Sequence, residues 1–290
     1  MRIVILGASG QLGKELINTF KGEEDLKFFS RKELDITNYS QVRFMIEEYK
    51  PFVLVNAAAY TSVDKAESNI EESFKVNSKA VENIAKCLNE YGGYLIHYST
   101  DYVFDGEKKS LYSEYDQTNP INVYGKSKLE GEKKIEENMK NFFIFRTSWV
   151  IGKYGKNFAK TIIALSKTKD SLNIVSDQIG VPTSTNLISR VTKNLMDDIR
   201  NLKPWPFGIY NVAPKGKTSW FEIAKTIVNY SKKKDSSIKI KISNINPILS
   251  KDYPGQAKRP TYSLLDTQKL QKNLKFLLPH WEDDLLSLLS

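Results

Sequence analysis

The chain has 290 residues, of which 40% are hydrophobic and 27% are charged, and its formal net charge is +9. This composition is typical of a globular protein with one large domain, or one domain and a smaller lobe. A single cysteine, Cys87, excludes an internal disulfide, and its helical context predicts a small core residue. No apolar run reaches the ~18 to 20 residues of a membrane helix, and no signal segment precedes the first strand pattern. We therefore expect a soluble, cytoplasmic protein with no membrane partner.

The positive charge does not predict a nucleic-acid partner. Lysines are scattered along the chain, arginines are few, and no nucleic-acid-binding motif accompanies them. A lysine-rich surface explains the charge, and its positive field would still attract polyanionic small molecules such as nucleotides.

Residues 1–146 alternate between strand and helix patterns. The short apolar runs that predict buried strands are "RIVILG", "LKFFS", "FVLVNAA", "GYLIHYST" and "FFIFRTS". The helical patterns between them are "QLGKELINTF", "SQVRFMIEEY", "NIEESFKVNSKAVENIAKCLNEY" and "YGKSKLEGEKKIEEN". Because this alternation requires crossover connections, it predicts an α/β fold with a doubly wound parallel sheet of the Rossmann type. Ligands of such a sheet bind beyond the carboxyl ends of its strands.

The pattern weakens after residue 150. Two segments, "NFAKTIIALSK" and "SWFEIAKTIVNYSKK", remain helical, but turn-rich stretches such as "DQIGVPTST", "KPWPFG" and "AKRPTYS" separate them. We assign residues 1–150 to an NAD(P)-binding Rossmann domain. Residues 151–290 are assigned mainly to a smaller C-terminal α/β substrate lobe, with some segments returning to the first domain.

The first strand is followed by a glycine-rich turn, "GASGQLG", with Gly7, Gly10 and Gly13 at the start of a helix. Glycines permit a tight turn and a close approach to a pyrophosphate, and the helix N-terminus supplies N–H donors. The spacing differs from the commoner G-x-G-x-x-G. Its position at the first strand–helix turn nevertheless favours dinucleotide binding over simple turn chemistry.

The end of the second strand indicates which dinucleotide is bound. Ser30 and Arg31 stand where an NAD site usually has an acidic residue, and a hydroxyl beside a guanidinium suits a 2′-phosphate. We therefore favour NADPH, with NADH possible; the alternative for Arg31 is an exposed loop arginine. Asp35 and Ile36 follow in "LDIT" as further cofactor contacts, Asp35 with the adenine.

Tyr124 and Lys128 lie four residues apart in a helical pattern and project from one face. A neighbouring ammonium lowers the pKa of a phenol, which is ordinarily about 10, and the lysine stem can reach ribose hydroxyls. The Y-x-x-x-K spacing is common by chance. However, "YLIHYST" ends a strand with Ser99 and Thr100, where a substrate carbonyl would lie. We expect Thr100 to hold the carbonyl oxygen while Tyr124 delivers the proton.

Further segments extend this pattern along essentially the whole chain, in order: "VNAAAYTSVDKAES", "HYSTDYVFDG", "NVYGKSKLEGE", "FRTSWVIGKYGKNFAKT", "DQIGVPTST" and "AKRPTYSLL". Together they resemble the extended short-chain dehydrogenase/reductase superfamily and, within it, the dTDP-4-dehydrorhamnose reductase family. The resemblance implies an enzyme that uses NADPH to reduce the C4 ketone of dTDP-4-dehydro-6-deoxy-L-mannose. The nucleotide-sugar product is dTDP-L-rhamnose.

The resemblance also implies roles for residues. Tyr124 would be the proton donor, Lys128 its activator and ribose anchor, and Thr100 the third catalytic member. The implied pyrophosphate and cofactor-flanking residues are Gly7, Gly10, Gln11, Leu12, Gly13, Ala59, Tyr60 and Thr61. The implied substrate contacts are Thr61, Val63, Thr100, Asp101, Trp149 and Arg259, the last with the diphosphate. Trp149 is alternatively a core aromatic, and Asp101 alternatively caps a turn.

One family feature is not expected here. Some members bind Mg²⁺ between subunits through acidic residues, and Glu15 fits one such position. The other stretch carries Asn186 and Arg190 without a carboxylate, whereas Mg²⁺ prefers anionic oxygen ligands. We therefore predict no metal, and a monomer or homodimer without a magnesium bridge. Tyr60 also stands where the family often has histidine.

Two alternative functions remain open. Relatives of this family serve as regulatory subunits of methionine adenosyltransferase, which bind NADP without needing turnover. A ketoreductase for a different nucleotide-linked 4-keto-6-deoxy sugar, or one of opposite C4 stereochemistry, would have the same fold, since specificity lies in the pocket. We expect the segments 149–185 and 250–263 to form that pocket.

Overall fold

The computed structural model describes residues 1–289. The strands are β1 Ile3–Leu6, β2 Leu26–Phe29, β3 Val53–Asn56, β4 Tyr94–Thr100, β5 Phe142–Thr147, β6 Val150–Ile151, β7 Leu172–Val175, β8 Ile179–Gly180, β9 Thr183–Ser184, β10 Gly208–Val212, β11 Thr218–Ser219 and β12 Ile245–Ile248. The α-helices are α1 Gln11–Thr19, α2 Tyr39–Tyr49, α3 Val63–Ala66, α4 Ile70–Phe74, α5 Ala80–Glu90, α6 Val123–Asn138, α7 Phe158–Thr168, α8 Thr185–Arg200, α9 Trp220–Lys232, α10 Gln268–Gln271 and α11 Trp281–Leu289. A π-helical segment, Lys75–Lys79, connects α4 to α5.

Six parallel strands form the central sheet, in the order β10-β5-β4-β3-β1-β2. The chain first builds outwards from β1 to β2 and then reverses, because β3 pairs with the other side of β1. This order confirms the predicted doubly wound Rossmann-type fold. The reversal creates a crevice beyond the carboxyl ends of β1 and β3, where such sheets bind ligands.

The central strands are mostly apolar because helices cover both faces of the sheet. In β1, Ile3 and Ile5 pack in the core on the side of α1 and α8, whereas Val4 and Leu6 pack on the side of α2 and α5. Cys87 of α5 is buried in the second of these cores, as predicted.

The C-terminal half contributes two elements to the central layers that the sequence analysis did not predict. Strand β10 extends the sheet beside β5, and α8 packs against α1. A third core lies beneath the remaining segments, around α7 and α9, which are accompanied by three two-stranded sheets. None of the helices within residues 1–289 is long and apolar enough to cross a membrane.

Candidate active site

Two adjoining cavities open at the crevice. The large cavity has a volume of about 650 Å³ and the small cavity about 250 Å³. They share Ser9, Gly10 and residues 57–59, which belong to the turns after β1 and β3. A cleft of this size and shape accommodates an extended ligand lying across the sheet edge.

The glycine turn after β1 lets backbone segments pack closely, because side chains at its glycines would collide with neighbouring backbone. Gly7 has φ +82°, and a Cβ there would lie 2.6 Å from the Ala58 nitrogen. A Cβ at Gly13 would overlap the Gly7 carbonyl, so Gly13 allows α1 to pack on the turn and does not line either cavity. No side chain caps the first turn of α1, and Gly10, Gln11 and Leu12 line the large cavity. Free N–H groups at this helix end fit a pyrophosphate.

The small cavity collects most of the residues predicted to bind the adenosine end of the cofactor. Its lining includes Arg31, Asp35, Ile36, Ala59 and Tyr60. The Arg31 side chain is 72% exposed, and its guanidinium donates to Glu72 at 3.0 Å. Ser30 is not among the lining residues. Its backbone N–H donates to the Glu33 carboxylate, and its side chain interacts with the same carboxylate. Of these two predicted residues, Arg31 is therefore the one that lines the small cavity.

The three predicted catalytic side chains meet at the large cavity. Thr100 ends β4, Asn122 caps the start of α6, and Tyr124 and Lys128 follow in the first turns of that helix. Thr100 and Tyr124 line this cavity together. Burial raises the pKa of Tyr124 to about 12, although the nearby Thr100 hydroxyl opposes the rise, so the expectation of a lowered pKa is wrong. The phenol keeps its proton and is suited to donate it.

Lys128 is almost completely buried one turn beyond Tyr124. Its Nζ donates to the Tyr98 carbonyl at 2.6 Å and lies 3.0 Å from His97 Nε2. Burial lowers the pKa of Lys128 to about 8, with Glu132 opposing the shift.

Several buried polar atoms at the large cavity have no hydrogen-bond partner among residues 1–289. They are Ser99 Oγ, Asp101 Oδ2 and Thr147 Oγ1, and all three residues line the cavity. Buried polar groups are rarely left unpaired in folded proteins. These atoms, together with the glycine turn, fit a polar cofactor and substrate that complete their hydrogen bonds.

The aromatic wall of the large cavity includes Trp149, which has a left-handed backbone with φ +45°. Its ring stacks on Trp220 with centroids 4.1 Å apart, and a Cβ at Gly180 would lie 2.6 Å from it. Thr61 and Val63 line the same cavity from the segment after β3. Trp149 therefore faces the cavity, although it also packs like a core aromatic.

Arg259 lies outside the large cavity. It lines a third cavity of about 200 Å³, which shares Tyr102 and Trp220 with the large one. Its guanidinium donates to Asp64 at 2.6 Å and to the Ala257 carbonyl at 3.2 Å. The structure thus places Arg259 one cavity away from the side chains predicted to be catalytic.

Glu15 is buried, and its carboxylate accepts a 3.4 Å hydrogen bond from Thr185. Arg190 stacks on the Phe276 ring at 4.3 Å. Among residues 1–289 there is no cluster of three or more His, Cys, Asp or Glu side chains suited to a metal ion. The absence of a bridging Mg²⁺ stays a prediction.

Other residues at the site did not emerge from the sequence analysis. Asn56, Tyr102, Thr147 and Trp220 line the large cavity, and His97 lies behind Lys128. The available signal was a polar residue that interrupts or ends an apolar strand pattern. Asn56 follows "FVLV", and His97 lies within "YLIHYST". Tyr102 and Trp220 carry no such local signal, because tertiary packing brings them to the cavity.

Comparison with known proteins defines the family. The model of the RmlD substrate binding domain matches residues 1–290. The chain belongs to this family. A Salmonella typhimurium relative named dTDP-4-dehydrorhamnose reductase is 39% identical over 286 residues, covering 97% of this chain and 95% of its own. The resemblance found in the sequence is confirmed.

Solved structures of RmlD-family relatives agree with this assignment. A dTDP-4-dehydrorhamnose reductase from Clostridium acetobutylicum is 36% identical with a TM-score of 0.92, covering 100% of this chain and 98% of its own. The enzyme of the same name from Bacillus anthracis, solved in complex with NADP, is 37% identical with a TM-score of 0.91 and covers 99% and 98%.

Proposed function

We propose that the protein reduces the C4 ketone of dTDP-4-dehydrorhamnose with NADPH, producing dTDP-L-rhamnose. The observation that carries this proposal is the convergence of Thr100, Tyr124 and Lys128 on the large cavity, beside the uncapped glycine turn, in a chain of the RmlD family. NADPH agrees with the NADP-bound relative and with Arg31 at the small cavity. We place the reaction in the cytoplasm, with the enzyme acting as a monomer or a homodimer.

The chain's own residues hold the reactants and supply the proton. The turn after β1 and the N-terminal end of α1 bind the pyrophosphate, and Arg31 binds the 2′-phosphate. NADPH, when bound, supplies the hydride for C4 of the sugar. Thr100 and Tyr124 hold the ketone oxygen, and Tyr124 then donates its phenolic proton to that oxygen. Lys128 anchors the ribose, and Trp149 and Asp101 contact the sugar end.

The test is loss of reduced-nicotinamide absorbance with dTDP-4-dehydrorhamnose made in situ, with NADPH and NADH in parallel. Tyr124→Phe removes only the proton donor, so we expect turnover to fall by about 10² to 10⁴-fold while NADPH binding is retained. Tyr210→Phe is the matched control, because this buried phenol bonds only the Pro206 carbonyl in the core.

Nearly full activity in Tyr124→Phe would exclude Tyr124 as the donor. A wild-type protein that binds NADPH but does not consume it would exclude the reductase. It would favour a regulatory subunit of methionine adenosyltransferase, to be sought as a stable complex. Turnover of another nucleotide-linked ketosugar in preference to this one would change the substrate and leave the chemistry intact.

A further inference from the structure

A chain of buried polar groups runs behind Lys128. Asn56 and His97 occupy paired positions on β3 and β4 and are 1% and 0% exposed. Asn56 Nδ2 lies 3.2 Å from His97 Nδ1, and His97 Nε2 lies 3.0 Å from Lys128 Nζ. Each ring nitrogen of His97 therefore faces one nitrogen of a neighbouring side chain.

The direction of these hydrogen bonds is set at Asn56, the end of the series opposite Lys128. The Ala58 N–H donates to Asn56 Oδ1 at 3.1 Å, which turns the Asn56 amide nitrogen towards His97. His97 Nδ1 must then accept. A neutral imidazole carries only one N–H, so its proton lies on Nε2 and faces Lys128. The Lys128 nitrogen accepts this bond only as a free amine, since an ammonium has no lone pair.

An ammonium at Lys128 requires the opposite arrangement. Nε2 of His97 must then be bare, its proton must lie on Nδ1, and the Asn56 amide must turn over to accept it. Asn56 can no longer accept from Ala58 in that state. Full burial keeps His97 neutral by lowering its pKa well below its usual range, so a doubly protonated ring does not resolve the conflict.

We propose that His97 and Asn56 are positioning residues for Lys128, and that the His97 tautomer and the Lys128 proton are exclusive. The Nε2–H tautomer accompanies the free amine, and the Nδ1–H tautomer accompanies the ammonium. The assignment of Lys128 to catalysis rests on the proposed function, whereas the coupling itself does not. Because Ala58 lines both cavities, the charge of Lys128 also changes the hydrogen bonding of the segment that borders the cofactor.

The other charged and titratable groups around Lys128 are engaged elsewhere. Glu132, one turn further along α6, forms a bidentate pair with Arg146 of β5. Asp101 accepts from Thr100, and Tyr124 lies near Thr100 at the large cavity. Within residues 1–289, the hydrogen-bonded neighbours of Lys128 Nζ are His97 and the Tyr98 carbonyl. His97 is thus the titratable side chain in direct contact with the lysine.

The tautomer of His97 can be measured directly, because His97 and His280 are the two histidines of the chain. Long-range ¹H–¹⁵N spectra of protein labelled at histidine distinguish Nδ1–H, Nε2–H and imidazolium forms. His280 is exposed, and His280→Gln assigns the signals. We expect a neutral His97 that changes from Nδ1–H to Nε2–H as pH rises through the lowered pKa of Lys128, about 8. One tautomer at every pH, or an imidazolium, would overturn the proposal.

Two variants sharpen this test. In Lys128→Met the pH dependence should disappear and leave the Nε2–H tautomer; a persisting change would exclude Lys128 as its cause. In Asn56→Asp the carboxylate accepts from both Ala58 and His97, so the Nδ1–H tautomer should hold at every pH. A switching wild-type protein without reductase activity would refute the proposed function alone. An active reductase with a fixed tautomer would refute this inference alone.

Discussion

At the level of single residues, burying the Asp101 carboxyl at the large cavity makes its contribution to stability depend on pH. Its Oδ1 accepts from Thr100 at 3.1 Å, its Oδ2 has no partner within residues 1–289, and the side chain is 1% exposed. Burial raises its pKa to about 7. Because the folded carboxyl holds its proton more tightly than the unfolded one, the contribution of Asp101 to the free energy of unfolding is greatest in acid. It declines as pH rises from the ordinary pKa through the raised value.

We predict that Asp101→Asn stabilises the protein at alkaline pH and not in acid. An amide does not ionise, so the variant avoids the buried charge. The gain in unfolding free energy should reach a few kcal/mol near pH ~8. Near pH ~4, where Asp101 is protonated in the folded protein, the part of the gain that comes from ionisation should be close to zero. Thermal unfolding of both proteins across this range measures it. A difference between the two melting temperatures that stays constant with pH would contradict the raised pKa.

Arg31 is the residue on which we propose that cofactor preference depends, since it lines the small cavity. Arg31→Asp should lower the ratio of kcat/KM for NADPH over NADH by about 10 to 100-fold, because it replaces a charge-assisted bond to the 2′-phosphate by repulsion. Lys32→Asp is the matched control, since it makes the same charge change at an exposed neighbour outside the cavity. An equal fall of this NADPH/NADH ratio in both variants would mean that cofactor preference responds to net charge and not to Arg31 itself.

At the level of elements, the position of α6 depends on the π-helical segment beside it. Asn77 of that segment accepts from the Tyr60 N–H at 2.8 Å and donates to Ser127 at 2.9 Å. Ser127 precedes Lys128, so the Asn77 side chain connects the segment after β3 to α6. A Cβ at Gly131 would overlap the Asn77 carbonyl oxygen, and glycine is therefore what allows this approach. π-Helical turns are frequent at functional sites for such reasons.

Gly131→Ala tests this packing, because the contact predicts a loss of stability where alanine would normally stabilise the helix. Alanine normally stabilises a helix interior by about 0.5 to 1 kcal/mol relative to glycine. Here the added methyl group would push α6 away from the π-helical segment, so we expect destabilisation by about 1 to 3 kcal/mol and a lower kcat. Urea unfolding and steady-state kinetics measure both. Lys133→Ala, at an exposed position of the same helix, should change neither; a stabilised Gly131→Ala would refute the contact.

At the level of the whole molecule, the last helix fixes the start of α8. Asp284 of α11 accepts from the Ser184 N–H at 2.8 Å and from its hydroxyl at 2.6 Å. Ser184 in turn caps α8 by accepting from the Leu187 N–H. Since α8 packs on α1, these bonds connect the C-terminus of the described chain to the helix of the glycine turn.

We expect Asp284→Ala to lower the free energy of unfolding by about 2 to 4 kcal/mol, because two buried donors lose their acceptor. Chemical denaturation measures the loss. Asp283→Ala is the control, as this neighbouring carboxylate is exposed and its removal should have little effect. Similar losses in the two variants would assign the effect to the helix and not to Ser184.

The first half of the fold was predictable because its signals are local. Buried strands, helical periodicity and the turn "GASGQLG" are all readable from neighbouring residues. Strand β10 was missed because five residues beside the proline-rich "KPWPFG" read as a turn, and only pairing with β5 defines it. Spacing and strand position indicated Thr100, Tyr124 and Lys128, which the structure brings together, and the resemblance added their catalytic roles. It did not supply the raised pKa of Tyr124 or the contact of Lys128 with His97, which depend on burial.

The stacked indoles of Trp149 and Trp220 have an optical consequence. At 4.1 Å their electronic transitions couple, whereas the other two tryptophans, Trp205 and Trp281, lie in the core away from the large cavity. The pair should therefore contribute a distinctive band to the circular dichroism spectrum, absent in Trp220→Phe. A ligand that enters beside the stack and tilts either ring alters this band. The protein thus contains its own label-free reporter of what occupies the cavity.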